Sequence, residues 1–101
     1  MDVLVHAGAG KLAAWVSPNP LNPEAVLTFV TTDRGPLRVR LFDLNGRMIR
    51  SLLEEPDAPV GYHDVRIDGR DEHGGRLASG FYFYRIDTRG GEVVGKVSVL
   101  K

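Results

Sequence analysis

Apolar and polar residues alternate with a period of two at short intervals along this chain, and no stretch keeps a 3.6-residue period over helical length. Residues 11–17 (KLAAWVS) are mostly apolar and run into a proline cluster. Residues 25–32 (AVLTFVTT) send Leu27 and Phe29 one way and Thr28 and Val30 the other. In 37–44 (LRVRLFDL), Leu37, Val39 and Leu41 share one face, with Arg38, Arg40 and Phe42 opposite. A shorter run follows at 47–53 (RMIRSLL). Residues 61–68 (GYHDVRID) set His63, Val65 and Ile67 against Tyr62, Asp64 and Arg66. Residues 80–87 (GFYFYRID) alternate two aromatic rows, and 92–100 (EVVGKVSVL) close the series. Each run reads as a strand.

Turn-forming residues separate the runs: DRGP, LNGR, EEPDAPVG, DGRDEHGG and TRGG. Asn45 and Gly46 form the strongest hairpin signal, because both residue types tolerate positive φ. Arg89-Gly90-Gly91 predicts a second tight hairpin between the last two strands. Seven short strands at this spacing predict an all-β, seven-stranded antiparallel immunoglobulin-like sandwich. It is expected to fill residues 11–101 as one domain, with 1–10 as a lead-in or linker. Gly69 and Gly80 bracket the longest loop and are assigned a structural part.

The prolines of SPNPLNP have a physical reading. Pro18, Pro20 and Pro23 fix φ and remove three amide donors, and each pushes the residue before it away from helical angles. The segment is therefore stiff, extended and unable to continue a ladder. Such a piece suits a crossing between the two sheets and also blunts an edge.

Composition then narrows the function classes. Lys plus Arg is 13 and Asp plus Glu is 13, so the balance lacks the basic excess of a nucleic-acid binder. With no cysteine there is no disulfide, thiol nucleophile or thiolate-ligated metal. No apolar run reaches the ~18 residues of a spanning helix. Asp2 stands where a signal peptide carries positive charge, so any targeting segment is expected outside this chain.

Chemistry-bearing clusters are few. Asp68, Asp71, Glu72 and His73 crowd the loop at 68–80, and Asp68, Asp71 and Glu72 are weak calcium candidates, since a hard cation needs several oxygens from a tight loop. The EF-hand spacing is absent, and Asx-turns holding the loop are the expected use of Asp68 and Asp71. His6, His63 and His73 have no zinc-ligand spacing, and His63 is expected to be half-buried against the core. Ser79, His63 and Asp71 could be imagined as a triad, but no nucleophile elbow is present. No phosphate-binding glycine motif occurs. No cofactor and no catalytic residue is therefore assigned.

SPNPLNPEAVLTF, LRVRLFDLNGRMIRSL, GYHDVRIDGRDEHGGRLASGFYFYRI and the final GKVSVLK, taken in order, resemble the FlgD-like immunoglobulin-like domains over roughly residues 15 to 101. These domains are named for the flagellar hook-capping protein. The chain is also similar to the C-terminal sorting domains of the type nine secretion system. The family usually carries Trp before the DG of the fifth strand, where this chain has Ile67. The sorting branch usually lacks the long loop at 68–80. The resemblance implies a non-catalytic C-terminal module of a larger exported bacterial protein, found at the cell surface or outside the cell. It would act in sorting, anchoring or assembly through upstream domains, secretion or surface machinery, or its own copies.

The same register puts Tyr82, Tyr84 and Ile86 inside and leaves Phe81 and Phe83 outside. With Phe42, Arg38 and Arg40 these form an expected outward strip of aromatic and arginine side chains, which are over-represented in binding hot spots. The loops or the lead-in could instead cover it. Two further readings stay open: a self-associating structural subunit using its edges and this strip, and a calcium- or glycan-binding accessory module.

Overall fold

The alternation becomes two facing antiparallel sheets in the computed structural model, which describes residues 5–7, 12–21 and 24–100. One sheet holds β1 (Val5–Ala7), β2 (Leu12–Ser17), β3 (Ala25–Thr31) and β6 (Gly61–Ile67) in that order. The other runs β5 (Met48–Ala58), β4 (Gly35–Phe42), β7 (Gly80–Thr88) and β8 (Gly91–Val99). The seven strands longer than β1 make the immunoglobulin-like sandwich that the sequence predicts.

The inward rows fill the space between the sheets. Val16, Leu27, Phe29 and Ile67 of the first sheet meet Leu37, Val39, Leu41, Tyr84, Ile86 and Val97 of the second, all 2 % exposed or less. Each such side chain supplies about 1.5–3 kcal/mol through apolar burial. His63 lies on the same row and is half-buried, with its ring stacked on Phe29 at a centroid distance of 5.3 Å. Trp15 alternates out of the core, because Ala14 and Val16 take the inner positions of β2.

The proline connector does not join the two sheets as expected: β2 and β3, on either side of it, are paired neighbours in the first sheet, and it makes a ladder bridge of its own to the second. β2 belongs to the first sheet, but Leu21 then forms a parallel bridge to Val99 of β8 and donates its amide to Ser98 O at 2.9 Å. Asn19 imitates a strand with its side chain, accepting from Ser98 N at 2.9 Å and donating to Lys96 O at 3.4 Å. The segment thus covers the free edge of β8 from Lys96 to Val99 before β3 resumes in the first sheet. Pro18 and Pro20 flank Asn19, and Pro23 lies outside the described residues.

Two local readings need correction. The hairpin at residues 43–47 is present, but among the described residues no residue other than glycine has positive φ, so Asn45 does not share the turn as expected. The loop is Leu44-Asn45-Gly46, with Gly46 at φ +84 and its amide donating to Asp43 O at 3.0 Å. The Asp43 carboxylate accepts from the amides of Asn45 and Arg47, which stabilises a three-residue loop over the two-residue one. Strand β5 also runs five residues further than the run at 47–53, through the EEPDA read as turn. Being an edge strand, it tolerates Pro56, whose missing donor faces a bulge where the register shifts between Gly35 and Leu37.

Candidate interaction surface

Strands β4 and β7 are adjacent in the middle of their sheet, so their outward rows lie side by side. The register sets Phe42 opposite Phe83, Arg40 opposite Arg85 and Arg38 opposite Asp87. β8 continues these rows with Lys96, Val94 and Glu92. The five residues of the expected strip, Arg38, Arg40, Phe42, Phe81 and Phe83, therefore share one solvent-facing surface. Phe42 and Phe83 are half-buried by each other's neighbourhood, whereas Phe81 is 50 % exposed. Met48, Leu44 and Val94 add exposed apolar area around them. A shallow depression of about 320 Å³ lies among Phe42, Leu44, Phe83, Arg85 and Val94. The described part of the lead-in, Val5–Ala7, pairs with β2 in the opposite sheet and does not lie across the phenylalanines.

Directly opposed arginines repel unless something lies between them. Asp87 does that work: Arg40 Nη2 donates to one carboxylate oxygen at 2.8 Å and Arg85 Nε to the other at 3.0 Å. Glu92 takes a second nitrogen of Arg85. Burial pushes the Asp87 carboxyl up, but the hydrogen bonds from Arg40 and Arg85 outweigh it and hold the group below its usual value. The guanidinium of Arg40 also stands over the Phe42 ring at 5.6 Å, and the Lys96 ammonium over Phe81 at 4.8 Å. The cations are thus fixed against the aromatic row. At the far end of the same sheet a wider hollow of about 710 Å³ lies among Pro36, Arg38, Glu54, Pro56 and Arg89. Sequence reasoning missed this hollow, because Pro56 was assigned to a turn.

The loop at 68–80 is held by its own groups and by β5. Asp71 accepts from the amides of His73 and Gly75, both at 2.9 Å. These two bonds hold its carboxyl below the usual range. Asp68 accepts from Arg50 at 2.8 Å and from the Arg70 amide at 3.1 Å. Gly69, at φ +71, turns the chain so that its carbonyl accepts from Leu77 N. The Tyr82 hydroxyl donates to Ala78 O at 2.8 Å and ties the end of the loop to β7, the corner device of immunoglobulin-like sandwiches. Among the described residues no three His, Cys, Asp or Glu side chains gather as a metal site. His63 Nε2 bonds with Thr31 and Pro59 O, and Asp71 Oδ1 bonds with amides of its own loop. The other sheet also presents an outer row that the sequence did not single out, with Tyr62 76 % exposed and Val26 40 % exposed.

No family model and no curated protein matches the sequence. Solved structures do. Dimeric latent PorU from Porphyromonas gingivalis superposes on 99 % of this chain with a TM-score of 0.68 and 22 % identity. PorZ, an essential bacterial surface component of the type-IX secretion system of Porphyromonas gingivalis, matches 87 % of it at 0.59 and 24 % identity. FlgD from Xanthomonas campestris, the hook-capping protein essential for flagellar assembly, matches 96 % of it at 0.54 and 22 % identity. The fold is that of the FlgD-like immunoglobulin-like domain. This chain spans 9 % of the PorU chain, 11 % of the PorZ chain and 65 % of the FlgD chain. Within the FlgD-like sandwich, Ile67 stands in the fifth-strand position before Asp68-Gly69 and is 1 % exposed, so the smaller side chain still closes that end of the core.

Proposed function

We propose that this chain is a non-catalytic protein-docking module of a larger exported bacterial protein, carried at its C-terminus and used in sorting, surface anchoring or assembly. The observation that carries the reading is the outer surface of the β5-β4-β7-β8 sheet. There Phe42, Phe83 and Phe81 form an apolar row, Arg40, Arg85 and Lys96 flank it at positions fixed by ion pairs and ring contacts, and Arg38 lies further along the same face. A row of this kind offers apolar area at the centre with charged partners at the rim, the usual division of labour in protein interfaces. The fold supports the same reading, since PorZ is a surface component of a secretion system and FlgD caps a hook. Support for a non-catalytic role comes from His63 Nε2, Asp68 Oδ1 and Asp71 Oδ1, each of which is engaged in structural bonds.

The test is a reporter protein with an export signal, produced with and without this chain at its C-terminus in a bacterium that has type nine secretion machinery. The reading expects the fused reporter at the cell surface and the bare reporter in the periplasm. Equal distribution of the two would contradict it.

A further inference from the structure

The sandwich has four lateral edges, β1 and β6 in one sheet and β5 and β8 in the other. An unpaired edge is a template for another strand, and proteins block such edges with prolines, bulges, short strands or covering segments. The C-terminal part of β8, from Lys96 to Val99, is covered by Asn19 and Leu21. β5 carries register shifts and Pro56, and the Glu72 amide already donates to Ile49 O near its start. β1 is three residues long. β6 has none of these devices. It is seven residues long, contains no proline and pairs with β3 without a register shift. Among the described residues, no backbone hydrogen bond from a segment other than β3 reaches Tyr62–Ile67.

We propose that β6 pairs antiparallel with β6 of a second copy of this chain, about a two-fold axis at Val65, joining the two β1-β2-β3-β6 sheets into one continuous sheet. Charge complementarity selects both the occupant and the register. Residues opposed across an antiparallel pair must share a face, so the axis can pass only through a residue position. With the axis at Val65, Asp64 lies opposite the partner's Arg66 and Arg66 lies opposite the partner's Asp64, on the outer face of the sheet. His63 then lies opposite the partner's Ile67 on the inner face. Moving the axis one residue to Asp64 or Arg66 sets a like charge directly opposite itself, which is unfavourable. One favourable pair is thus made twice by the symmetry, as an isologous interface requires. Thr28 holds Asp64 in the outer row through a 2.8 Å hydrogen bond, so the carboxylate is already positioned there. Tyr62, 76 % exposed, stands in the same row at the end of the seam. The interface uses the sheet opposite the aromatic strip and does not depend on the docking reading.

Sedimentation of the purified chain from micromolar to millimolar concentration tests the proposal, with Asp64→Arg, Arg66→Asp and the double swap as variants and circular dichroism as the check on folding. The wild type is expected to dimerise with concentration. Each single variant replaces two attractive pairs by two repulsive ones and should raise the dimer Kd about tenfold or more. The double swap restores opposite charges and should restore the dimer, while Phe83→Asp should leave it unchanged. Hydrogen exchange of β6 amides in the wild type should slow as concentration rises, a readout that needs no variant. A monomer at every concentration, a double swap no better than the singles, or a dimer dissolved by Phe83→Asp but not by Asp64→Arg would overturn the proposal.

Discussion

The Tyr84 side chain is fully buried, and its hydroxyl has no hydrogen-bond partner. An unpaired buried polar atom costs about 1–3 kcal/mol. Opposite it, Gly95 leaves room for the ring, since a Cβ at that position would land on the Tyr84 hydroxyl and ring carbons. Tyr84→Phe removes the unpaired oxygen and is expected to stabilise the domain by about 1 kcal/mol in urea unfolding; a loss of that size would contradict the packing described. Gly95→Ala overfills the same space and should cost about 2 kcal/mol or more by the same measurement. Burial pushes the Tyr84 hydroxyl up to about 12 from its ordinary 10.0. Above pH 10 the unfolded chain therefore releases a proton that the folded chain retains. Stability from this residue is complete below pH 10 and falls as pH rises through about 12. Unfolding across that range should show a decline that Tyr84→Phe lacks.

Among the elements, the connector links β2 to β3 within the first sheet and lays Asn19 and Leu21 against β8 of the second. Asn19 substitutes for strand pairing at Lys96 and Ser98, so Asn19→Ala should cost about 1 kcal/mol or more and speed amide exchange at Ser98. Unchanged exchange there would show that the connector does not guard the β8 edge. Alternation made the central strands legible: β4 buries one complete row and β7 buries Tyr82, Tyr84 and Ile86, and a one-residue slip would expose them, so Leu37, Val39 and Leu41 name the core face without ambiguity. The outward strip followed from the same parity. β5 was illegible beyond residue 53, because an edge strand is not required to alternate and Glu54-Glu55-Pro56-Asp57 has the composition of a turn. The hairpin at 43–47 was legible as a hairpin but not in its type, which depends on where the Asp43 carboxylate points. For the same reason the bridging of Arg40 and Arg85 by Asp87 could not be read from spacing; it depends on a cross-strand register that only the folded sheet fixes.

At the scale of the whole molecule, the two sheets face solvent with different surfaces. The first presents an open edge at β6 with Asp64 and Arg66. The second presents the aromatic row with its arginines and the hollow beside Pro36 and Pro56. The core is built from the inward rows, so the domain should fold without the outward phenylalanines. Phe42 and Phe83 are half-buried on the outer face, and replacing both by Asp should leave a folded sandwich by circular dichroism. The proposed role of this row is to hold a protein partner. Its most direct test is the cellular distribution of an exported reporter carrying this chain, compared with the same reporter carrying Phe42→Asp and Phe83→Asp together. The account predicts that the variant domain stays folded and that its reporter no longer reaches the surface. Surface delivery equal to that of the unaltered chain would contradict it.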